Sequence, residues 1–109
     1  MGNDNVRIQQ LVALIEEHYT TQKDTTFYAE RLSVSNHHLN DIVRILRGTT
    51  VKKMIGLRLL LEAKRELSFG ALTVKEVAFK LGFNDASYFS RFFKKHTGYN
   101  PEQFKNSNI

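Results

Sequence analysis

Five side chains in one short stretch have the types and spacing for chemistry on a polyanion: Ser87, Ser90, Arg91, Lys94 and Lys95. Steps of three and four residues put them on one side of a helix, with Phe89, Phe92 and Phe93 on the other. Cations among small hydroxyls can hold anionic oxygens and trade hydrogen bonds with polar edges. The plainer reading of the charge run alone is a basic helix face turned to water. What precedes the helix decides against it.

Thr73 and Glu76 form a capping-box pair, so a helix starts there and carries Val74, Val77, Ala78 and Leu81 at the helical period. Gly82 stands where a helix ends in a left-handed residue, and Phe83-Asn84-Asp85 turns the chain. Asn84 or Asp85 can then cap the basic helix. Ala78 is small where two helices must cross closely. This is the sequence form of a helix-turn-helix, whose second helix fits a DNA major groove.

The unit occurs twice. Ala29 and Leu32 match Ala78 and Leu81 at an offset of 49. Beyond the turn the offset is 50, pairing Leu39 with Phe89, Ile42 with Phe92, Val43 with Phe93 and Gly48 with Gly98. Outward positions pair as well: Asn40 with Ser90, Asp41 with Arg91, Arg44 with Lys94. The second turn is therefore one residue longer. Two copies are too few for a solenoid, so the pattern reads as a pseudo-repeat of two lobes.

Composition sets the bounds. The 109 residues are 41% hydrophobic and 25% charged, a globular balance, and carry a formal charge of +5 that suits a polyanionic partner. The absence of Cys excludes thiolate zinc chemistry and fits a reducing, cytoplasmic setting. No run approaches the ~18 apolar residues of a membrane span, and no secretory signal is visible. With one Pro, six Gly and no strand-like alternation, the expected class is all-α.

Seven helices are expected, arranged as lobe one (about 6–48), a linker helix (about 51–67) and lobe two (about 73–105). Met1–Asn5 is polar and precedes the first helix, whose stripe is Val6 or Ile8, Leu11, Val12, Ile15 and Tyr19. The second helix begins after Asp24 or Thr25 and holds Phe27, Tyr28, Ala29 and Leu32. Ser35 caps the third, which buries Leu39, Ile42, Val43 and Leu46 and ends at Gly48. Thr50 caps the linker helix. Its stripe of Ile55, Leu59, Ala63 and Leu67 is broadened by Leu57, Leu60 and Leu61, as if wedged between packed partners. A last short helix has Asn100 as cap, Pro101 in its first turn, Gln103 to complete a box, and Phe104 to dock.

The run KEVAFKLGFNDASYFSRFFKKHTGYNPEQF, Lys75 to Phe104, resembles the signature of the AraC/XylS-type bacterial transcription regulators. RLLLEAKREL, Arg58 to Leu67, is similar to that family's linker helix, and the likeness extends over about Ile8 to Lys105. The resemblance implies a DNA-binding domain whose two recognition helices enter successive major-groove segments on one face of double-stranded DNA. Carried over by position, the base-facing residues would be His37, Asn40 and Asp41 in the first helix, and Ala86, Ser87, Ser90 and Arg91 in the second. Arg44, Lys94 and Lys95 would contact phosphate. The chemistry is sensible: Arg can grip guanine O6/N7, Asn can pair bidentately with adenine, and Ser can donate or accept. Such regulators carry a separate N-terminal effector or dimerisation domain, expected to be missing from this chain, and RNA polymerase is a further expected partner.

The first unit departs from the family pattern. Asp41 stands where many members have Arg, and Val43 to Arg47 reads VRILR. Asp41 can accept from cytosine N4, or it can serve a local role beside His37 and His38. His37, His38 and Asp41 do not make a metal site, because adjacent helical residues diverge and a further ligand is lacking. No cofactor is implied. The Phe set reads as core rather than as a stacking platform for single strands. Nothing resembles a nucleophile–base pair, a glycine-rich phosphate loop or paired catalytic carboxylates, so the chain is not read as an enzyme. Two other classes compete with a regulatory DNA binder. A helical protein-docking domain would want an apolar outer face, and a membrane-surface binder would want the Phe stripe exposed.

Overall fold

The computed structural model describes residues 2–107, which form seven α-helices and no strand. They are α1 (Gly2–His18), α2 (Thr25–Arg31), α3 (Asn36–Arg47), α4 (Val51–Phe69), α5 (Val74–Lys80), α6 (Ala86–Thr97) and α7 (Pro101–Ser107). The chain divides into two compact units, one ending at Arg58 and the other beginning at Leu59, so the boundary lies within α4.

In the first unit α1, α2 and α3 pack on one another. Ile8, Leu11 and Ile15 of α1 meet Tyr28 and Ala29 of α2 and Leu39, Ile42 and Val43 of α3 in one apolar core. Tyr28 is fully buried and settles its hydroxyl by donating to the Gln22 carbonyl at 2.6 Å. Burial pushes that phenol up to about 12. In the second unit α6 packs between α5 and α7. Phe89 and Phe93 are fully buried, and the Phe93 ring meets Phe104 edge-on at 5.3 Å.

Short polar side chains fix the helix starts. Ser35 Oγ accepts from the His38 amide, and Asp85 Oδ1 from the Ser87 amide. Thr73 and Glu76 close a reciprocal box, which holds the Glu76 carboxyl below its usual range through the Thr73 backbone hydrogen bond. Asn100 and Gln103 close a second box. Each such cap is worth about 1 kcal/mol.

The two helix-turn-helix turns carry the same backbone bonds 49 residues apart. Leu32, Ser33 and Val34 donate to Tyr28, Glu30 and Ala29; Leu81, Gly82 and Phe83 donate to Val77, Phe79 and Ala78. The residue that lengthens the second turn is Asn84. Gly82 takes φ +83°, and its counterpart Ser33 takes φ +59°, a left-handed conformation costly for any residue with a Cβ. Ser33→Gly should therefore raise stability by about 0.5–1 kcal/mol in urea unfolding, strain relief exceeding the added chain entropy. A fall in the urea midpoint would refute strain at Ser33.

Several expectations need correcting. α1 begins at Gly2, because Asp4 in its first turn pairs with Arg7 at 3.2 Å and sustains the helix through the polar residues; Met1 lies outside the described residues. Val6 and Val12 are exposed, and Tyr19 follows the end of α1 with the Arg58 guanidinium 4.3 Å over its ring. Leu32 is the C-cap of α2, and Leu46 in the last turn of α3 is 40% exposed. α4 runs on to Phe69. Its Leu57 and Leu61 point outward, because each lies two residues, about 200°, from a buried neighbour, Ile55 or Leu59.

Candidate nucleic-acid interface

α6 presents its polar residues as its caps dictate. The Asp85 cap starts it, Gly98 ends it with φ +83°, and Phe89 and Phe93 hold its inner side in the core. Ser87, Arg91, Lys94 and Lys95 are left exposed, with Ala86 and Ser90 half-buried beside them. Among the described residues none of these three cations has an acidic partner. The Arg91 guanidinium lies 6.0 Å over the ring of Tyr88, which is itself largely exposed. Tyr88 was not singled out from sequence, although it sits three residues before Arg91, the spacing at which helical side chains meet. Phe92 is half-buried, with Phe83 at 5.5 Å and His96 at 4.8 Å.

α3 is arranged differently. His37 is almost fully exposed, and its Nε2 lies 3.2 Å from Asp41 Oδ2. Arg44 reaches the other oxygen of the same carboxylate, also at 3.2 Å. Asp41 thus has His37 and Arg44 as local partners, without His38. Asn40 is half-buried, and its Oδ1 accepts from the Val51 amide at 3.1 Å. The position matching Lys95 is Ile45, which is 74% exposed. Of the ten residues expected to face DNA, His37, Asp41 and Arg44 meet on α3. Ala86, Ser87, Ser90, Arg91, Lys94 and Lys95 share α6, and Asn40 turns toward α4.

These surfaces differ in net field. Over 36–47, α3 has Arg44 and Arg47 against Asp41; over 86–97, α6 has Arg91, Lys94 and Lys95 and no acid. Unpaired exposed cations beside small hydroxyls can bind phosphate oxygens and read base edges. A depression of about 360 Å³ lies in the first unit and is lined by Gln10, Ala13, Leu14, Glu17, Arg31 and Leu32. It holds no nucleophile. No helix is long and apolar enough to cross a membrane among the described residues.

A helix-turn-helix domain family model matches residues 28–107. Among curated proteins, the HTH-type transcriptional activator RhaS of Salmonella schwarzengrund is 26% identical over 94% of this chain, and the chain spans 37% of its length. Among solved structures, the C-terminal domain of the two-component response regulator yesN from Fusobacterium nucleatum superposes with a TM-score of 0.84 at 28% identity, covering 89% of this chain and 95% of that one. The DNA-binding domain of AdpA, a global transcriptional factor solved in complex with a target DNA, superposes with a TM-score of 0.83 at 25% identity, covering 91% and 89%.

Proposed function

The chain belongs to the AraC/XylS-type helix-turn-helix family, and on that premise we propose that it binds double-stranded DNA sequence-specifically and regulates bacterial transcription. The observation that carries this reading is the outward side of α6, where Arg91, Lys94 and Lys95 stand exposed, without acidic partners among the described residues, beside Ser87 and Ser90. The family is one of DNA-binding regulators rather than enzymes. AdpA's domain, similar over most of this chain, was solved on a target DNA, which supports duplex DNA as the ligand here.

In this proposal α3 and α6 each enter the major groove, in successive segments of the duplex. Ala86, Ser87, Ser90 and Arg91 face base edges on α6, with His37 and Asp41 facing the DNA from α3. Lys94, Lys95 and Arg44 lie toward phosphate. Cytoplasmic location follows from a DNA ligand in a bacterium. An N-terminal effector or dimerisation domain and RNA polymerase are proposed as further parts of the regulator's action. In support, the matched relatives are much longer than this chain.

Fluorescence titration with duplex DNA over a range of salt tests the reading. Affinity should fall steeply as salt rises, because phosphate contacts release counterions. Lys94→Ala should flatten the log–log slope by about one while leaving sequence preference intact. An unchanged slope would remove Lys94 from the phosphate contacts. Binding to anionic vesicles but not to duplex DNA would overturn the proposal itself.

A further inference from the structure

Asn40 lies in the middle of α3 at a position that family analogy gives to base reading, yet its side chain is spent elsewhere. Its Oδ1 accepts from the backbone amide of Val51, eleven residues on and the first residue of α4. The donor is a main-chain N–H, so the acceptor must be the oxygen of the Asn40 amide.

The Val51 amide has a reason to need this partner. As the first residue of a helix it has no carbonyl four residues back to bond, and Val51 is fully buried, so water does not reach it. The neighbouring cap is occupied, because Thr50 Oγ1 accepts from Lys53 at 3.2 Å. Asn40 alone answers the Val51 donor among the described residues.

The second unit supplies the control. At the offset of 50, Val51 corresponds to Pro101, also fully buried and also the first residue of a helix after a capping residue. Proline has no N–H, so no side chain is required to receive one. The residue matching Asn40 there is Ser90, a shorter hydroxyl. A long side-chain amide stands where the donor exists, and a short hydroxyl where it does not.

We infer that Asn40 is a positioning residue, tying the first turn of α4 to the middle of α3, and that it does not choose bases. The inference rests on the DNA-binding reading only for its second half. Oδ1 keeps a second lone pair, but its bond to the Val51 amide holds the half-buried Asn40 amide against α4, and pairing both of its edges with adenine would require releasing that hold. Among the proposed base-facing residues of α3, base choice falls to His37 and Asp41.

The test compares the parent chain with Asn40→Ala, Asn40→Asp, Val51→Pro and the double variant Asn40→Ala/Val51→Pro. Amide exchange at Val51 and urea unfolding are read without DNA. Asn40→Ala should lower the folding constant about fivefold, the scale of a lost helix cap, and speed Val51 exchange by a similar factor. Asn40→Asp keeps an acceptor oxygen and should restore slow exchange. In the Val51→Pro background, where the donor is gone, Asn40→Ala should change the folding constant by less than about twofold. If Val51→Pro does not fold, the exchange rate in Asn40→Asp decides.

Selection from a random duplex pool then reads base choice. Asn40→Ala should keep the parent's preference at every position, whereas relaxation at one base pair would overturn the inference. A full Asn40→Ala penalty persisting in Val51→Pro would overturn it too, as would fast Val51 exchange in Asn40→Asp. A parent chain that selects no sequence would sink the DNA reading instead, with the exchange and unfolding measurements still deciding the positioning role.

Discussion

Phe93→Ala should melt the second unit at or near ambient temperature and abolish DNA binding with it. The Phe93 ring is fully buried and lies 6.0 Å from Phe89 and 5.3 Å from Phe104, so it joins α6 to α7 and fills the centre of the unit. Truncating a buried Phe to Ala costs about 3–5 kcal/mol, because lost transfer energy and an unfilled cavity add. At about 0.05–0.15 kcal/mol per residue, a unit of some fifty residues holds about 3–8 kcal/mol in all. The loss therefore takes most of the margin. Phe92 serves as the internal comparison: it is half-buried, and Phe92→Ala should cost less than half as much. Thermal unfolding followed by circular dichroism checks both. A Phe93→Ala midpoint within a few degrees of the parent would mean that the aromatic cluster is not what holds α6.

Where a signal was local, the sequence was enough. The Thr73/Glu76 and Asn100/Gln103 boxes each lie within one helical turn, and both form with their bonds as the spacing implies. The start of α1 was hidden for the opposite reason: residues 2–5 have no apolar period, and the helix there rests on a charge pair rather than on burial. Leu57 and Leu61 were misjudged because hydrophobicity alone does not say which side of a helix meets a neighbour. The bond that Asn40 makes is not legible in the sequence because its partner is eleven residues away, across a turn whose path only the fold reveals. Its signal lay in the pseudo-repeat, where Pro101 replaces the donor. Ser33 is similar, since nothing in a serine announces a positive φ except its alignment with Gly82. On α6, by contrast, the outward residues were legible because the Phe pattern fixes the buried side and thereby the exposed one.

Arg91→Ala should cost roughly 1–3 kcal/mol on the preferred site and relax preference at a single base. Arg91 is exposed, has no acidic partner among the described residues, and lies with its guanidinium 6.0 Å over the Tyr88 ring. An arginine so placed can pair with guanine O6 and N7. The matching position in α3 is Asp41, whose carboxylate lies between His37 and Arg44 at 3.2 Å from each. We propose that this carboxylate competes with phosphate for Arg44 and repels the backbone, so that the first unit discourages indiscriminate binding. Asp41→Asn keeps the shape, removes the charge and frees Arg44. Random duplex should then bind more tightly, the preferred site should gain less, and the ratio between them should narrow. Both variants belong in one experiment, titrated on preferred and random DNA at a single salt concentration. Equal losses for Arg91→Ala on the two DNAs would make Arg91 a phosphate contact. No gain on random duplex for Asp41→Asn would show that its contacts with His37 and Arg44 serve only α3.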